Sequence, residues 1–334
     1  MTTLLVTGGA GFIGSNLVRH ILNETPLQVV ILDALTYSGN LENLEGVLDN
    51  PKVQFVHGSI TDADVVAQTM SDPTIGAVLN LAAESHVDRS INDARPFVET
   101  NITGTVVLMD ACRTHGVKRF VQVSTDEVYG SLEPDEDPFT ESSPLIPSSP
   151  YAASKAAADH LVHAYAHTHG LNAVITRCTN NYGPYQFPEK FMPLMIMCAL
   201  ENTSLPLYGD GMQVRDWIHV DDHCRGIMAA LERGLAGETY NLGGGNEFAN
   251  IDIAKRILTK TGHAESLLTH VTDRHGHDRR YAVNSNKALE HLGWKPLQDF
   301  DSGLANTIEW YEQHKSWCER ISSGEYRNFR NRQF

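Results

Sequence analysis

The chain has 334 residues, of which 41% are hydrophobic and 20% charged, a balance that supports a real core and excludes disordered, coiled-coil and collagen-like classes. Acidic residues outnumber basic ones by 41 to 26, and the net charge of −15 argues against nucleic acid or an anionic membrane as the main partner, although a few arginines can still hold a small anion. The length suits two domains, or one large α/β unit with an extension.

The chain opens without a basic leader and reaches glycines after seven residues, so residues 4–7 read as a first strand rather than a signal peptide. A helix over about 13–23 follows, then a strand over 29–32 that closes at Asp33. Further strands are expected at 53–56, 77–81, 120–124 and 173–176, with helices near 62–70, 98–114 and 152–169 between them. This alternation predicts an α/β fold with a doubly wound, mostly parallel sheet. The strands are continuous apolar runs, so they are expected to be buried on both faces. After Arg177 the chain becomes rich in Asn, Pro, Tyr and Gly, with one helix near 191–201, and reads as a substrate-facing elaboration. A strand at 217–220, a helix at 222–231 and a strand at 239–242 then return toward the main body. The acidic stretch 133–141 reads as an exposed loop and 324–334 as a polar tail. The scattered Cys112, Cys178, Cys198, Cys224 and Cys318 form no CxxC pair, and no apolar run is long enough to span a bilayer. A cytoplasmic chain with free thiols is expected.

The segment GGAGFIG over 8–14 sits between the first strand and helix. Gly8 and Gly11 allow a tight turn and a close backbone approach to a pyrophosphate at the helix start, and Gly14 permits close helix–strand contact. Alone the motif also admits the reading of a plain glycine-rich turn. Asp33, about 20 residues on, supplies the carboxylate that accepts from both ribose hydroxyls and repels a 2′-phosphate, which points to NAD. Ser59 follows a strand and is placed near the adenine.

Tyr151 and Lys155 are spaced i,i+4 and share a helix face. An ammonium beside a tyrosine favours the phenolate and can hold a nicotinamide ribose, and the phenolate can take a hydroxyl proton as hydride leaves the same carbon. By itself the pair is also compatible with an ordinary surface Tyr and Lys. Ser124 and Thr125 end the preceding strand, where a hydroxyl can donate to the substrate oxygen. Asp126 and Glu127 follow at once, at the sheet edge where open α/β folds bind ligands. An alcohol dehydrogenase or epimerase needs only the tyrosine, whereas two adjacent carboxyls, one acid and one base, suit a dehydration. An Asp-Glu pair opening a turn is the plainer alternative.

The stretches TGGAGFIGSNLVR (7–19), DALTYSGN (33–40), NLAAESHVDRSI (80–91), STDEVYGSL (124–132), YAASKAAADH (151–160), RCTNNYGPYQFPEK (177–190), YGDGMQVRDWIHVDDH (208–223) and GHDRRYAVN (276–284) together make the chain resemble the dTDP-glucose 4,6-dehydratase family. That family is a branch of the extended short-chain dehydrogenase/reductases that modify nucleoside-diphosphate sugars. The resemblance implies a Rossmann-type sheet with a smaller, interleaved C-terminal α/β substrate domain. It also implies NAD that stays tightly bound and is regenerated each cycle. Tyr151 is implied to deprotonate the 4-hydroxyl, Glu127 to remove the C5 proton and Asp126 to protonate the leaving 6-hydroxyl. Thr125 would hold the 4-oxygen, and Lys155 the nicotinamide ribose. Asn181, Arg215, Asn250, Arg274 and His277 are implied around the ribose and diphosphate, Glu189 and Lys190 near the sugar, and Tyr208 beside thymine. Ser85 and Asp88 belong to a segment that faces cofactor and sugar in relatives. Phe12, Ile13, Ile60, Leu81, Ala82, Ala83, Thr100 and Ser124 complete the expected cofactor surface.

Ser59 stands where many members carry Asp, His275 where many carry Pro, and Thr179 where Ser is common. A homodimer through the helices near 98–114 and 151–169 is implied by relatives. The expected division is an NAD-binding domain over 1–178, rejoined by 214–242, a nucleotide-sugar-binding domain over 179–213 and 243–320, and a tail over 321–334. His219 and His223 lack the glutamate of a zinc helix motif, and His163, His167 and His169 read as surface, so no metal is expected. The rivals are a UDP-sugar 4-epimerase, a UDP-glucuronate decarboxylase, and a non-catalytic NAD-sensing protein.

Overall fold

The computed structural model describes residues 2–273 and 277–324. Arg274 and His275, and Arg327, Arg330 and Arg332 of the tail, lie outside the described residues. Six strands come first: β1 (Thr3–Thr7), β2 (Gln28–Asp33), β3 (Val53–His57), β4 (Ile75–Asn80), β5 (Arg119–Thr125) and β6 (Ala173–Cys178). The chain then leaves the sheet for β7 (Asn180–Tyr182), β8 (Leu205–Tyr208) and β9 (Val214–His219), and returns in β10 (Thr239–Leu242). The main sheet is parallel throughout, in the order β10-β6-β5-β4-β1-β2-β3. The order reverses beside β1, so a crevice opens at the carboxyl ends of β1 and β4, where such sheets bind ligands.

Apolar runs fill both sides of this sheet. On one face Leu4 and Val6 pack with Leu17 and Ile21 of the helix Phe12–Glu24 and with Ile227 of the helix Val220–Arg233. On the other, Leu5 and Val78 meet Val66, Leu108 and Val162. Each such side chain, fully buried, contributes about 1.5–3 kcal/mol. The edge strand β3 departs from expectation: Gln54 and His57 are exposed and Val53, Phe55 and Val56 only half-buried, because among the described residues no strand pairs with its outer side.

The helix expected near 98–114 begins earlier, at Arg95, and opens into a wide π turn over Val98–Gly104 before continuing as Thr105–His115. The wide turn turns the Asn101 side chain inward, where it donates to Glu84 O at 3.0 Å and Ser154 Oγ at 2.8 Å.

Segment 214–242 divides its contacts. β9 is the centre of a small sheet, paired with β7, with β11 (Glu247–Ala249) and with the short β13 (Arg280–Tyr281), while β8 pairs with β12 (Leu268–Val271). The helix Val220–Arg233 and β10 belong to the main sheet. A second core of Met195, Ile196, Leu205, Trp217, Ile257 and Tyr311 supports the small sheets. Among the described residues no helix is long and apolar enough to cross a membrane.

Candidate active site

One cleft runs along the carboxyl edge of the main sheet and continues toward the second lobe. At one end lies the turn after β1. Gly8 has φ +68°, and a Cβ there would stand 2.8 Å from Ala82 N. At Gly14 a Cβ would meet Gly8 O at 2.1 Å. The helix that follows has Gly11 at its N-cap, with no side chain bonded to its first amides. The result is a concave backbone surface with N–H donors, which fits a pyrophosphate. Asp33 closes β2; its Oδ2 accepts from Ala10 N at 2.9 Å and its Oδ1 from Leu35 N at 2.8 Å. Burial pushes its carboxyl up, and those two amides pull it back. Each oxygen keeps a lone pair for a ribose hydroxyl. NAD therefore fits the cradle.

Phe12, Ile13, Ile60, Leu81, Ala82, Ala83, Thr100 and Ser124 all line this part of the cleft, as does Ser59. The Ser59 hydroxyl is bonded to Thr61, Oγ to Oγ1 at 2.8 Å, and accepts from Thr61 N at 3.1 Å.

Farther along, β5 ends in Ser124 and Thr125 and passes directly into a single 3-10 turn, Asp126–Tyr129. Thr125 Oγ1 caps that turn by accepting from Glu127 N at 3.2 Å and donates to Asp126 Oδ1 at 3.2 Å. The helix Pro150–His169, capped by Ser149, brings Tyr151 and Lys155 to the same cleft on one buried face. Thr125, Asp126, Glu127, Tyr151 and Lys155 are thus assembled from two elements.

Their electrostatics differ sharply. Asp126 is 3% exposed and its Oδ2 has no hydrogen-bond partner among the described residues. Burial, then the charges of Glu127 and Asp216, hold its carboxyl well above the usual range, with Thr125 and Arg215 opposing. Glu127 is half-buried. A buried carboxyl whose protonated form is favoured therefore stands beside one that lines the cleft, the arrangement expected of an acid and base pair. The phenol of Tyr151 is also pushed well up, first by burial and next by Glu127, against a hydrogen bond with Thr125. The net shift of the phenol is thus upward, with Lys155 not among its largest causes. The Lys155 ammonium donates to Val123 O at 2.7 Å, and its own burial depresses its proton affinity.

The residues expected around the nucleotide sugar fall into two groups. Ser85, Asn181 and Lys190 line the cleft. Asn181 Oδ1 accepts from His223 Nδ1 at 2.8 Å, and Lys190 Nζ donates to Ser85 O at 3.2 Å. Glu189, Tyr208, Arg215, Asn250 and His277 stand outside that lining. Glu189 faces His86 Nε2 at 3.3 Å and Arg89 at 3.7 Å, linking the segment before the helix Phe191–Leu200 to the helix Val87–Asn92. Tyr208 is 44% exposed, with its ring edge-on to His277, whose Nδ1 is paired with Asp273 at 2.7 Å. The backbone N–H of Asn250 donates to Gln213 O at 3.0 Å. Arg215 lies over the Tyr281 ring at 4.3 Å and donates to Asp278 O at 2.9 Å, and its charge reaches Asp126. Among the described residues no three His, Cys, Asp or Glu side chains are grouped as a metal site.

Several cleft residues had no assigned role in the sequence. Tyr37 lines the cleft in the loop after Asp33, where Leu35 takes φ +49° and a Cβ on Gly39 would meet Asp33 Oδ1 at 2.7 Å. Cys178, Phe187 and Trp217 also line it. Burial pushes the Cys178 thiol up to about 12. The available signal was position: Tyr37 and Phe187 lie inside the quoted motifs, and Cys178 ends β6.

Residues 5–307 match the GDP-mannose 4,6 dehydratase family. The dTDP-glucose 4,6-dehydratase of Neisseria meningitidis serogroup B is 49% identical, with 98% of each chain covered. The dTDP-glucose 4,6-dehydratase 1 of Escherichia coli K12 is 48% identical over 98% of this chain and 97% of its own. Among solved structures, the Streptomyces venezuelae dTDP-glucose 4,6-dehydratase DesIV, with NAD and TYD bound, superimposes with a TM-score of 0.93 at 49% identity, covering 96% of this chain and 100% of that one. A Thermotoga maritima UDP-glucose 4-epimerase shares the fold at 31% identity and a TM-score of 0.88, covering 93% and 99%.

Proposed function

The chain belongs to the dTDP-glucose 4,6-dehydratases, within the nucleotide-sugar-modifying extended short-chain dehydrogenase/reductases, and from that premise we propose that it converts dTDP-glucose to dTDP-4-dehydro-6-deoxyglucose with NAD. The observation that carries this reading is the Asp126–Glu127 pair, one carboxyl buried and one half-buried, on the same cleft as Tyr151. A 4-epimerase uses the tyrosine alone.

Bound NAD supplies the hydride acceptor for C4 and the hydride donor for C6. Tyr151 takes the 4-hydroxyl proton as the phenolate, which its hydrogen bond with Thr125 favours against burial and the Glu127 charge. The 4-keto group acidifies C5–H. Glu127 removes that proton and returns one to C5 at the end of the cycle. Asp126, kept neutral by burial, donates its proton to the C6 oxygen, which leaves as water. Lys155, anchored on Val123, holds the nicotinamide ribose. Around the nucleotide diphosphate we place Asn181, Arg215, Asn250, Arg274 and His277. Arginine suits this task because its planar fork binds two oxygens at once, and it lets a protein of net charge −15 hold an anionic substrate.

We read the cofactor as retained through the cycle, since oxidation and reduction occur on one bound sugar. The family resemblance supports a homodimer through the helices near 98–114 and 151–169, and free thiols support a cytoplasmic setting. Incubation with dTDP-glucose in D2O without added NAD, followed by mass spectrometry and NMR, tests the reading. Loss of one water with deuterium at C5 is expected. Epimerisation at C4, or intact sugar even with NAD and UDP-glucose supplied, would overturn it.

A further inference from the structure

Arg177, in β6, is 2% exposed and bonds to both elements that carry the reacting groups. Its Nε donates to Asp159 Oδ2 at 2.9 Å. Asp159 lies one helical turn beyond Lys155 and two beyond Tyr151, on the same helix face. The Nη1 of Arg177 donates to the hydroxyl of Tyr129 at 2.8 Å. Tyr129 is the last residue of the turn that begins with Asp126 and Glu127.

Tyr129 is itself fully committed. Its hydroxyl donates onward to Asn241 Oδ1 in β10 at 2.8 Å, and its ring stacks on Phe139 with centroids 5.0 Å apart. The Arg177 guanidinium stands 4.9 Å from the ring centroid. A single 3-10 turn has few internal bonds to hold its shape, so its ends decide where it sits. Thr125 caps one end, and the Tyr129 hydroxyl anchors the other. A buried ion pair such as Arg177–Asp159 is a poor source of net stability, because desolvation offsets the attraction. Its geometric value is that one rigid cation spans two catalytic elements.

We propose that Arg177 and Tyr129 are positioning residues that hold the Asp126–Glu127 turn in register with Tyr151, and that elimination of water depends on them more than oxidation at C4 does. The proposal rests on reading Asp126 and Glu127 as the elimination pair. Oxidation needs only Tyr151 beside the cofactor, whereas water loss needs both carboxyls placed on C5 and O6 of a sugar already held by Tyr151.

Tyr129→Phe keeps the ring and removes only the hydroxyl. With dTDP-glucose its KM should stay within about twofold, while the overall kcat falls about tenfold or more, as expected for misplaced catalytic groups. During turnover a larger share of the bound nicotinamide should absorb as the reduced form than in the parent protein, since C4 oxidation outruns water loss. Asn241→Ser, which removes the Oδ1 acceptor of the Tyr129 hydroxyl together with the Nδ2 donor to Phe139 O, should shift both readouts the same way by less. An unchanged kcat in Tyr129→Phe, or a fall in kcat with no rise in reduced nicotinamide, overturns the proposal. If Tyr129→Phe does not fold, the same two readouts on Asn241→Ser decide it. A parent protein that releases no water from dTDP-glucose sinks the reaction reading and this proposal together.

Discussion

The ammonium of Lys155 donates to the carbonyl of Val123 at 2.7 Å, deep enough that both groups are buried. That bond fastens the helix Pro150–His169 to β5 two residues before the strand ends at Thr125. It places Tyr151, one turn earlier on the helix, where the hydroxyl of Thr125 can bond it. The lysine thus sets the distance between the tyrosine and the carboxyl-bearing turn as well as supplying charge.

Asp126→Asn should separate stability from activity. Burial first, then Glu127 and Asp216, raise the Asp126 carboxyl above its unfolded value. A raised folded pKa means the stabilising protonation is complete at acid pH and is lost as pH climbs through the folded value. Asparagine mimics the protonated form at every pH. The variant should melt at or above the parent temperature, with the gap widening toward alkaline pH, while dehydration falls about 10²–10⁴-fold. Thermal melts over a pH series check the first part, and product formation the second. A variant less stable than the parent at high pH would contradict the sign.

Glu127→Gln removes the charge that, after burial, does most to raise the Tyr151 phenol. The pH at which single-turnover oxidation of C4 reaches half its maximum should therefore move downward. Water loss should fall about 10²-fold or more, because the base is gone. Stopped-flow absorbance of the reduced nicotinamide across pH measures the first effect. An upward shift would show that Glu127 does not raise the phenol.

Gly14→Ala tests the cradle. Its Cβ would stand 2.1 Å from Gly8 O and 2.8 Å from Gly9 Cα, and neither backbone atom can rotate away. A cost of about 1–3 kcal/mol is expected, together with loss of co-purifying NAD. Gly116→Ala is the control: its φ is +68°, but a Cβ there meets nothing within 4 Å. That change should cost only left-handed strain, roughly 1–2 kcal/mol, and leave NAD binding intact.

Glu189→Gln distinguishes a tie between segments from a sugar contact. Glu189 faces His86 and Arg89, all partly exposed, so breaking the pair should cost no more than about 1 kcal/mol. Burial, then Lys190, lowers the proton affinity of His86, so it contributes a neutral ring at neutral pH. The variant should raise KM by no more than about fivefold with kcat unchanged. A large fall in kcat would place Glu189 on the reacting sugar instead.

The amino-acid order by itself determined the parts of this protein that depend on neighbours along the chain. The glycine turn at 8–14 is legible because only a missing Cβ permits it. Tyr151 and Lys155 are legible because 3.6 residues per turn put them on one face, and Asp126–Glu127 because two carboxyls stand side by side. The strands ending at Asp33 and Thr125 are legible because fully buried parallel strands are written as apolar runs. The tertiary structure alone decided what depends on assembly. It sends β9 to the small sheet and the helix Val220–Arg233 to the large one. It joins Tyr129 to Asn241 across 112 residues, and sets Arg215 and Asp216 where their charges reach Asp126. It also buries Tyr151 beside Glu127, which together push its phenol up. The physical reason is desolvation: proton affinity in a site depends on how much water the folded surroundings exclude and which charges they bring close, and neither quantity exists along an unfolded chain.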